Sequence, residues 1–119
     1  MSTHPNAILL LTLTPNGLAR KTMRGILTEA GLDGESDGQI SIGGTKYDHL
    51  VMESDFDESM QLSAKEGDLL FFDLVTYGYG EQIAWEALES QKNALEEWAR
   101  GVCERHNCTF KISVTANYW

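Results

Sequence analysis

Two short segments of this sequence are apolar at almost every position. Residues 7–14 run Ala-Ile-Leu-Leu-Leu-Thr-Leu-Thr, and residues 68–76 run Asp-Leu-Leu-Phe-Phe-Asp-Leu-Val-Thr. A strand covered on one face alternates between apolar and polar residues, whereas a strand buried on both faces does not. The two segments therefore predict two strands in the interior of a sheet, and they limit the chain to folds that contain such a sheet.

Two longer segments have the periodicity of amphipathic helices. The first lies between Pro15 and Gly31 and carries small or apolar residues at four-residue intervals: Leu18, Thr22, Ile26 and Ala30. We predict a helix over about 15–30, with Thr14 as its N-cap and Pro15 in its first turn. The second segment predicts a helix over about 84–105, with one face formed by Ala84, Leu88, Gln91, Leu95, Trp98 and Val102.

Further strands are predicted from turn residues and alternation. Residues 39–42 and 45–53 flank Gly43-Gly44, a dipeptide typical of a two-residue hairpin turn. Residues 109–116 alternate polar with apolar side chains, which indicates a strand with one face on the core and one in water. Residues 54–60 predict an exposed acidic connection, and residues 61–64 fit either a short strand or a continuation of that connection.

The order strand, helix, hairpin, strand, helix, strand resembles the ferredoxin-like arrangement, in which both helices lie on one face of a mainly antiparallel sheet. The resemblance implies an α+β two-layer sandwich with the element order β-α-β-β-β-α-β, built as a single domain over 1–119. It also implies that residues 7–14 and 68–76 are parallel neighbours at the centre of the sheet. The chain has one strand more than that arrangement, and a likeness of topology implies no activity.

Alternation within the two apolar strands predicts which side chains face away from the helices. We assign the odd positions of the first strand (Leu9, Leu11, Leu13) and the even positions of the second (Leu70, Phe72, Leu74) to the helix side. The opposite, outer face then carries an apolar stripe of Ile8, Leu10, Leu69, Phe71 and Val75, with Asp73 among them. Either residues 54–64 or the terminal Tyr118 and Trp119 cover this stripe, or it is an interface with another molecule, a homodimer being one form.

All of the net charge lies in one part of the sequence, residues 33–73, which we name the acidic segment. It contains eleven carboxylates and two lysines, whereas the rest of the chain has seven charges of each sign, so the formal charge of −9 is local. A concentrated negative field attracts basic partners. We therefore predict a small non-enzymatic interaction or regulatory protein that binds a basic protein partner through Asp33, Glu35, Asp37, Glu53, Asp55, Asp57, Glu58, Tyr77 and Tyr79.

Charge and hydropathy also narrow the class of partner. We expect no direct binding to nucleic acid, because such binding depends on lysines and arginines that neutralise phosphates. Mimicry of nucleic acid, with carboxylates in place of phosphates, is a sharper form of the hypothesis and would suit an inhibitor from a mobile element. The longest apolar run, residues 7–11, is too short to cross a membrane, and the first residues lack the basic start of a secretory signal. We expect a cytoplasmic protein without membrane contact.

Asp73 is the carboxylate that most suggests chemistry, because it stands inside an apolar strand, where burial raises the pKa of a carboxyl. In a structural role it would accept a hydrogen bond from Thr12 or pair with Lys111. In a functional role it would belong to a small-molecule-binding or enzymatic domain, with a site near Asp73, Tyr77 and Tyr79. We favour the structural role, and we expect no catalytic residue and no cofactor.

Cys103, His106 and Cys108 place sulfur and imidazole donors close together in the sequence. A structural zinc site needs four ligands, and His4 and His49 are the remaining histidines, so we predict no metal site. Two roles for the cysteines stay open: burial in the core at the end of the second helix, or a reversible disulfide.

Overall fold

The computed structural model describes residues 5–17, 19–32, 39–52, 66–77 and 81–118. Within these ranges the chain forms an α+β fold, as predicted. Its elements are β1 (Pro5–Pro15), α1 (Ala19–Glu29), β2 (Gln39–Ile42), β3 (Thr45–Val51), β4 (Leu69–Thr76), α2 (Trp85–Arg105) and β5 (Cys108–Tyr118). The predictions made for residues 54–64 lie outside the described residues.

The strands form one open sheet in the order β2-β3-β4-β1-β5, and every neighbouring pair is antiparallel. The interior position of both apolar strands is confirmed, since β4 lies between β3 and β1, and β1 lies between β4 and β5. Their predicted parallel pairing is wrong. Strand β3 runs in the same direction as β1, and the chain reverses once between β3 and β4, so β4 runs opposite to β1.

The register between β1 and β4 decides which side chains face the helices. Leu11 lies opposite Phe71 and Leu13 opposite Leu69, so these residues share the helix side of the sheet. The predicted orientation of the second apolar strand is therefore wrong: Leu69, Phe71, Asp73 and Val75 lie on the helix side, and Leu70, Phe72 and Leu74 on the outer face. When the odd and the even positions of a strand are both apolar, either set can face the helices, so the alternation of side chains does not determine the orientation.

Both helices pack against the same face of the sheet. Met23 and Ile26 of α1 and Leu95, Ala99 and Val102 of α2 are buried in one cluster with the helix-side residues of the strands. Across this layer Phe71 of β4 and Trp98 of α2 form an edge-to-face pair with ring centroids 5.3 Å apart and an angle of 84° between the rings. The main core is therefore the space between the sheet and the two helices.

Helix α1 is shorter at its start than the sequence predicts and ends where the sequence predicts. Pro15 belongs to β1, and the backbone N–H of Asn16 donates to the carbonyl of Asn107 at 2.8 Å, which holds the chain beside β5. At the other end Gly31 has φ +76, its N–H donates to Thr28 and the N–H of Leu32 donates to Leu27. These bonds form a Schellman motif, which requires the positive φ that glycine adopts without strain.

The hairpin between β2 and β3 turns on Gly43 and Gly44, which have φ +60 and φ +87. Both positive angles suit the two-residue turn that the sequence predicts. The two positions differ in their surroundings, because a Cβ atom at Gly43 would lie 2.8 Å from the Cβ of Ala94 in α2, whereas one at Gly44 would meet nothing within 4 Å. The hairpin turn therefore packs directly against α2 through Gly43.

This difference gives a matched pair of substitutions. Gly44→Ala should lower the free energy of unfolding by about 1 kcal/mol, because it forces an L-residue into the left-handed region. Gly43→Ala should cost about 2 to 3 kcal/mol, because the same strain is joined by overpacking against Ala94. Urea denaturation of both variants measures the difference. Equal losses would contradict the close packing of the hairpin on α2.

Candidate functional site

Asp73 lies in β4 on the helix side of the sheet, where it meets the middle of α2. The side-chain amide of Gln91 donates to Asp73 Oδ2 at 3.3 Å and to Thr45 Oγ1 at 3.1 Å. Gln91 thus joins α2 to β3 and β4 at once. The partners predicted from the sequence are wrong, because Thr12 and Lys111 face each other on the outer face of the sheet, away from Asp73.

The surroundings of Asp73 shift its proton affinity upward. Burial raises the pKa of its carboxyl above the ordinary 3.8, the hydrogen bond from Gln91 acts in the opposite direction, and the charge of Asp48 raises the pKa further. Tyr47 is fully buried, and its pKa is raised by burial and by the negative charge of Asp73. Its hydroxyl makes no hydrogen bond of good geometry among the described residues, although the nearby side chain of Thr45 acts to lower its pKa.

Asp73, Tyr47, Gln91 and Thr45 therefore form one polar cluster between α2 and the sheet. An activated nucleophile needs a lowered pKa or an adjacent base that takes its proton. Here burial raises the pKa of the Tyr47 phenol. The raised pKa of the Asp73 carboxyl would itself suit acid–base chemistry, but the side chain hydrogen-bonded to it is Gln91, which cannot take up or release a proton. The geometry suits a polar contact that fixes α2 over β3 and β4 better than it suits acid–base catalysis.

Of the two tyrosines in the predicted partner site, the structure describes Tyr77, whereas Tyr79 lies outside the described residues. Tyr77 is half-buried and packs against Ala7, Ile83 and Leu88, a small cluster at the end of the main core. It thus closes the core at the start of α2. The neighbouring Trp85 leaves 55% of its surface exposed and is the larger aromatic surface at this end of the molecule.

Most of the predicted partner-binding carboxylates lie outside the described residues: Asp33, Glu35, Asp37, Glu53, Asp55, Asp57 and Glu58. The described carboxylates of the acidic segment occupy different environments. Asp48 is exposed and accepts a hydrogen bond from Gln39 at 2.9 Å, and Glu66 is also exposed, whereas Asp68 is buried. Their role in binding a partner stays a prediction.

The outer face of the sheet carries an apolar stripe that differs from the predicted one. Of the predicted residues, Ile8 and Leu10 lie there, and Leu69, Phe71 and Val75 are on the opposite side. Leu10 and Leu70 are buried and pack with Met52, which follows β3. Leu74 is 57% exposed and Leu50 is 37% exposed, so part of the face is accessible near the middle of the sheet.

Two of the clefts on the described surface are lined by residues other than Asp73 and Tyr77. A cleft of about 560 Å³ lies beside α1. Its charged lining residues are Arg20, Arg24 and Glu66, and its apolar ones are Met23, Leu27, Val51 and Met52. A cleft of about 410 Å³ lies beside the contact between the β2–β3 hairpin and α2 and is lined by Ile42, Gly43, Trp98 and Arg105, among others. The sequence showed the basic residues of α1 but not that two of them border a cleft.

A cluster that the sequence analysis missed joins the ends of the two helices. Glu29, at the end of α1, accepts a hydrogen bond at Oε1 from Arg105 Nε at 2.5 Å. Its other carboxylate oxygen, Oε2, lies 2.6 Å from Nε2 of His106 at the end of α2. Burial acts to raise the pKa of Glu29, but the hydrogen bonds and positive charges of Arg105 and His106 outweigh it and lower the pKa. His106 is thus engaged by a carboxylate rather than by the cysteines.

The described residues contain no group of three or more His, Cys, Asp or Glu placed to hold a metal ion.

The polar cluster around Asp73 gives a pH-dependent prediction. Because the folded-state pKa of Asp73 is raised, the folded protein binds its proton more tightly than the unfolded chain, and stability is lost as the pH rises above 3.8 through the folded pKa. Asp73→Asn keeps an acceptor for Gln91 and removes this loss. It should therefore gain stability relative to the wild type over that pH window.

Urea denaturation across a pH series measures this change, with Asp73→Ala as the control. The alanine variant removes the acceptor for Gln91 and should cost about 1 kcal/mol. If the difference between Asp73→Asn and the wild type were the same at acid and neutral pH, the raised pKa of Asp73 would be refuted.

Within the described ranges, neither helix combines the length with the apolar character that a membrane-spanning helix requires.

Comparison with known proteins finds no matching family model, no significantly similar curated protein and no significantly similar solved structure. The function of the chain therefore has to be argued from its own residues and their geometry.

Proposed function

We propose that this chain is a small acidic protein that works by binding a basic protein partner through its acidic segment, residues 33–73. The observation that carries the proposal is the distribution of charge: the entire net charge of −9 falls in that segment, while the remainder of the chain is balanced. A field of this kind raises the rate of association with a positively charged surface and makes that rate sensitive to salt.

Two ion pairs among the described residues support the proposal, because each joins an arginine to a carboxylate outside the acidic segment. Arg105 pairs with Glu29, and Arg100 pairs with Glu96 at 2.9 Å along α2. Each of these cations is thus engaged by a carboxylate at residue 29 or 96. Neither of these two arginines is therefore paired with a carboxylate of the acidic segment in these contacts.

The environment of Asp73 supports binding over catalysis. Its hydrogen bond to Gln91 ties α2 to the sheet, and the neighbouring phenol of Tyr47 is fully buried. Tyr77, the other described member of the predicted small-molecule site, packs against Ala7, Ile83 and Leu88. The residues that a site around Asp73 would use therefore serve the packing of the core.

We also propose that the fold is a ferredoxin-like sandwich with β2 added at one edge of the sheet. Two features support this. Strands β1 and β3 are joined through α1 and flank β4, and strands β4 and β5 are joined through α2 and flank β1. Both units are split β-α-β units, the building block of that arrangement.

The test compares two variants with equal changes in charge. The first carries Glu53→Gln, Asp55→Asn, Asp57→Asn and Glu58→Gln in the acidic segment. The control carries Glu86→Gln, Glu89→Gln, Glu97→Gln and Glu104→Gln, four exposed carboxylates of α2. Binding to an oligolysine peptide, measured by titration at several salt concentrations, should weaken about tenfold for the first variant and much less for the control.

The same variants used as bait in the native host separate specific from nonspecific binding. A partner of the proposed kind is basic, is captured by the wild type and the control, and is lost with the first variant. If duplex DNA competes with the chain for that partner, the mimicry of nucleic acid is supported. Equal weakening by both variants would refute a localised binding surface.

A further inference from the structure

Two cysteine sulfurs meet where α2 passes into β5. Cys103 lies in the last turn of α2 and Cys108 is the first residue of β5, and their Sγ atoms are 3.0 Å apart. Both are free thiols in this structure. The backbone between them is fixed by two hydrogen bonds of 2.8 Å, from the N–H of His106 to Val102 and from the N–H of Cys108 to His106.

We propose that Cys103 and Cys108 are a redox modification site. The two cysteines form a reversible disulfide with each other, and the oxidant is a low-molecular-weight disulfide such as oxidised glutathione. A disulfide needs a sulfur–sulfur distance near 2.05 Å, so closing the bond requires a relative movement of about 1 Å. Only side-chain rotation and a small shift of the turn are needed, because the backbone already brings the two thiols together. The site is independent of the acidic segment and adds to the proposed function.

The reaction is a pair of thiol–disulfide exchanges. The thiolate of Cys103, the more exposed of the two, attacks one sulfur of oxidised glutathione and expels one glutathione thiolate. The thiolate of Cys108 then attacks the Cys103 sulfur of the mixed disulfide and expels the second glutathione. The two cysteines lose two electrons and two protons, and oxidised glutathione is reduced to two molecules of glutathione.

The surroundings of the pair predict slow exchange in the folded protein. Burial, followed by the hydrogen bond with Cys108, raises the pKa of the Cys103 thiol to about 12. The attacking species is the thiolate, so its low population at neutral pH limits the rate, and the rate increases as the pH rises. The site is thus expected to respond to sustained oxidation and to resist brief exposure.

The turn closed by the disulfide also carries the residues that bind Glu29. Arg105 and His106 lie between the two cysteines and hold the end of α1 through that carboxylate. A covalent bond between Cys103 and Cys108 would therefore restrict the turn from which both contacts are made. Oxidation at this site acts on the junction of the two helices with β5.

The experiment uses the full chain, reduced, unfolded and then refolded in buffers of oxidised and reduced glutathione, so that access to the buried thiols does not limit the reaction. Free thiols are alkylated and the protein is digested with trypsin, which cleaves after Arg100, Arg105 and Lys111. The proposal predicts that residues 101–105 and 106–111 are recovered as one cross-linked species from a monomeric protein, and that excess reduced glutathione separates them. The folded protein should give the same species more slowly, at a rate that rises at least several-fold between neutral and alkaline pH.

Cys103→Ser and Cys108→Ser are the controls, because each leaves one thiol that can form a mixed disulfide with glutathione but no internal bond. Full alkylation of both cysteines in the wild type under excess oxidised glutathione would overturn the proposal. So would recovery of mixed disulfides with glutathione or of intermolecular dimers in place of the cross-linked pair.

Discussion

The antiparallel pairing of β1 with β4 is the constraint on which the rest of the structure depends. The two strands face each other from Asn6 opposite Thr76 to Leu13 opposite Leu69, and β1 also pairs with β5 along its whole length. Since both strands are apolar at nearly every position, burying them requires material on both faces of the sheet. The helices cover one face, and the register places Phe71 under Trp98 and Asp73 under Gln91.

Much of this fold follows from local sequence patterns. The interior strands follow from their continuous apolar character, β5 from its alternation, the hairpin from Gly43-Gly44 and the end of α1 from Gly31. The orientation of β4 could not be predicted, because its odd and even positions are both apolar and either set could face the helices; the pairing with β1 makes that choice. The start of α1 was missed because Pro15 suits the first turn of a helix as well as the end of a strand.

The candidate site shows the same division between local and distant information. Concentrated charge is a property of the sequence, so the proposed binding segment can be identified from the order of its residues alone. The contacts of Gln91 with Asp73, and of Glu29 with Arg105 and His106, join residues from different elements, and no local pattern predicts them. The contact between Cys103 and Cys108 lies between these cases. The two residues are close in the sequence, but the distance between their sulfur atoms depends on how α2 meets β5.

A direct test of this account is the register of β1 and β4 in solution, because it decides which side chains the helices cover and which remain for binding. In an antiparallel pair, facing residues approach most closely at alternate positions. Nuclear Overhauser contacts between backbone Hα atoms should therefore appear at alternate pairs of the register that sets Leu11 opposite Phe71 and Leu13 opposite Leu69. A register in which Leu11 faces Leu70 or Phe72 would move Asp73 to the outer face and contradict the account. A parallel pattern of contacts would contradict it as well.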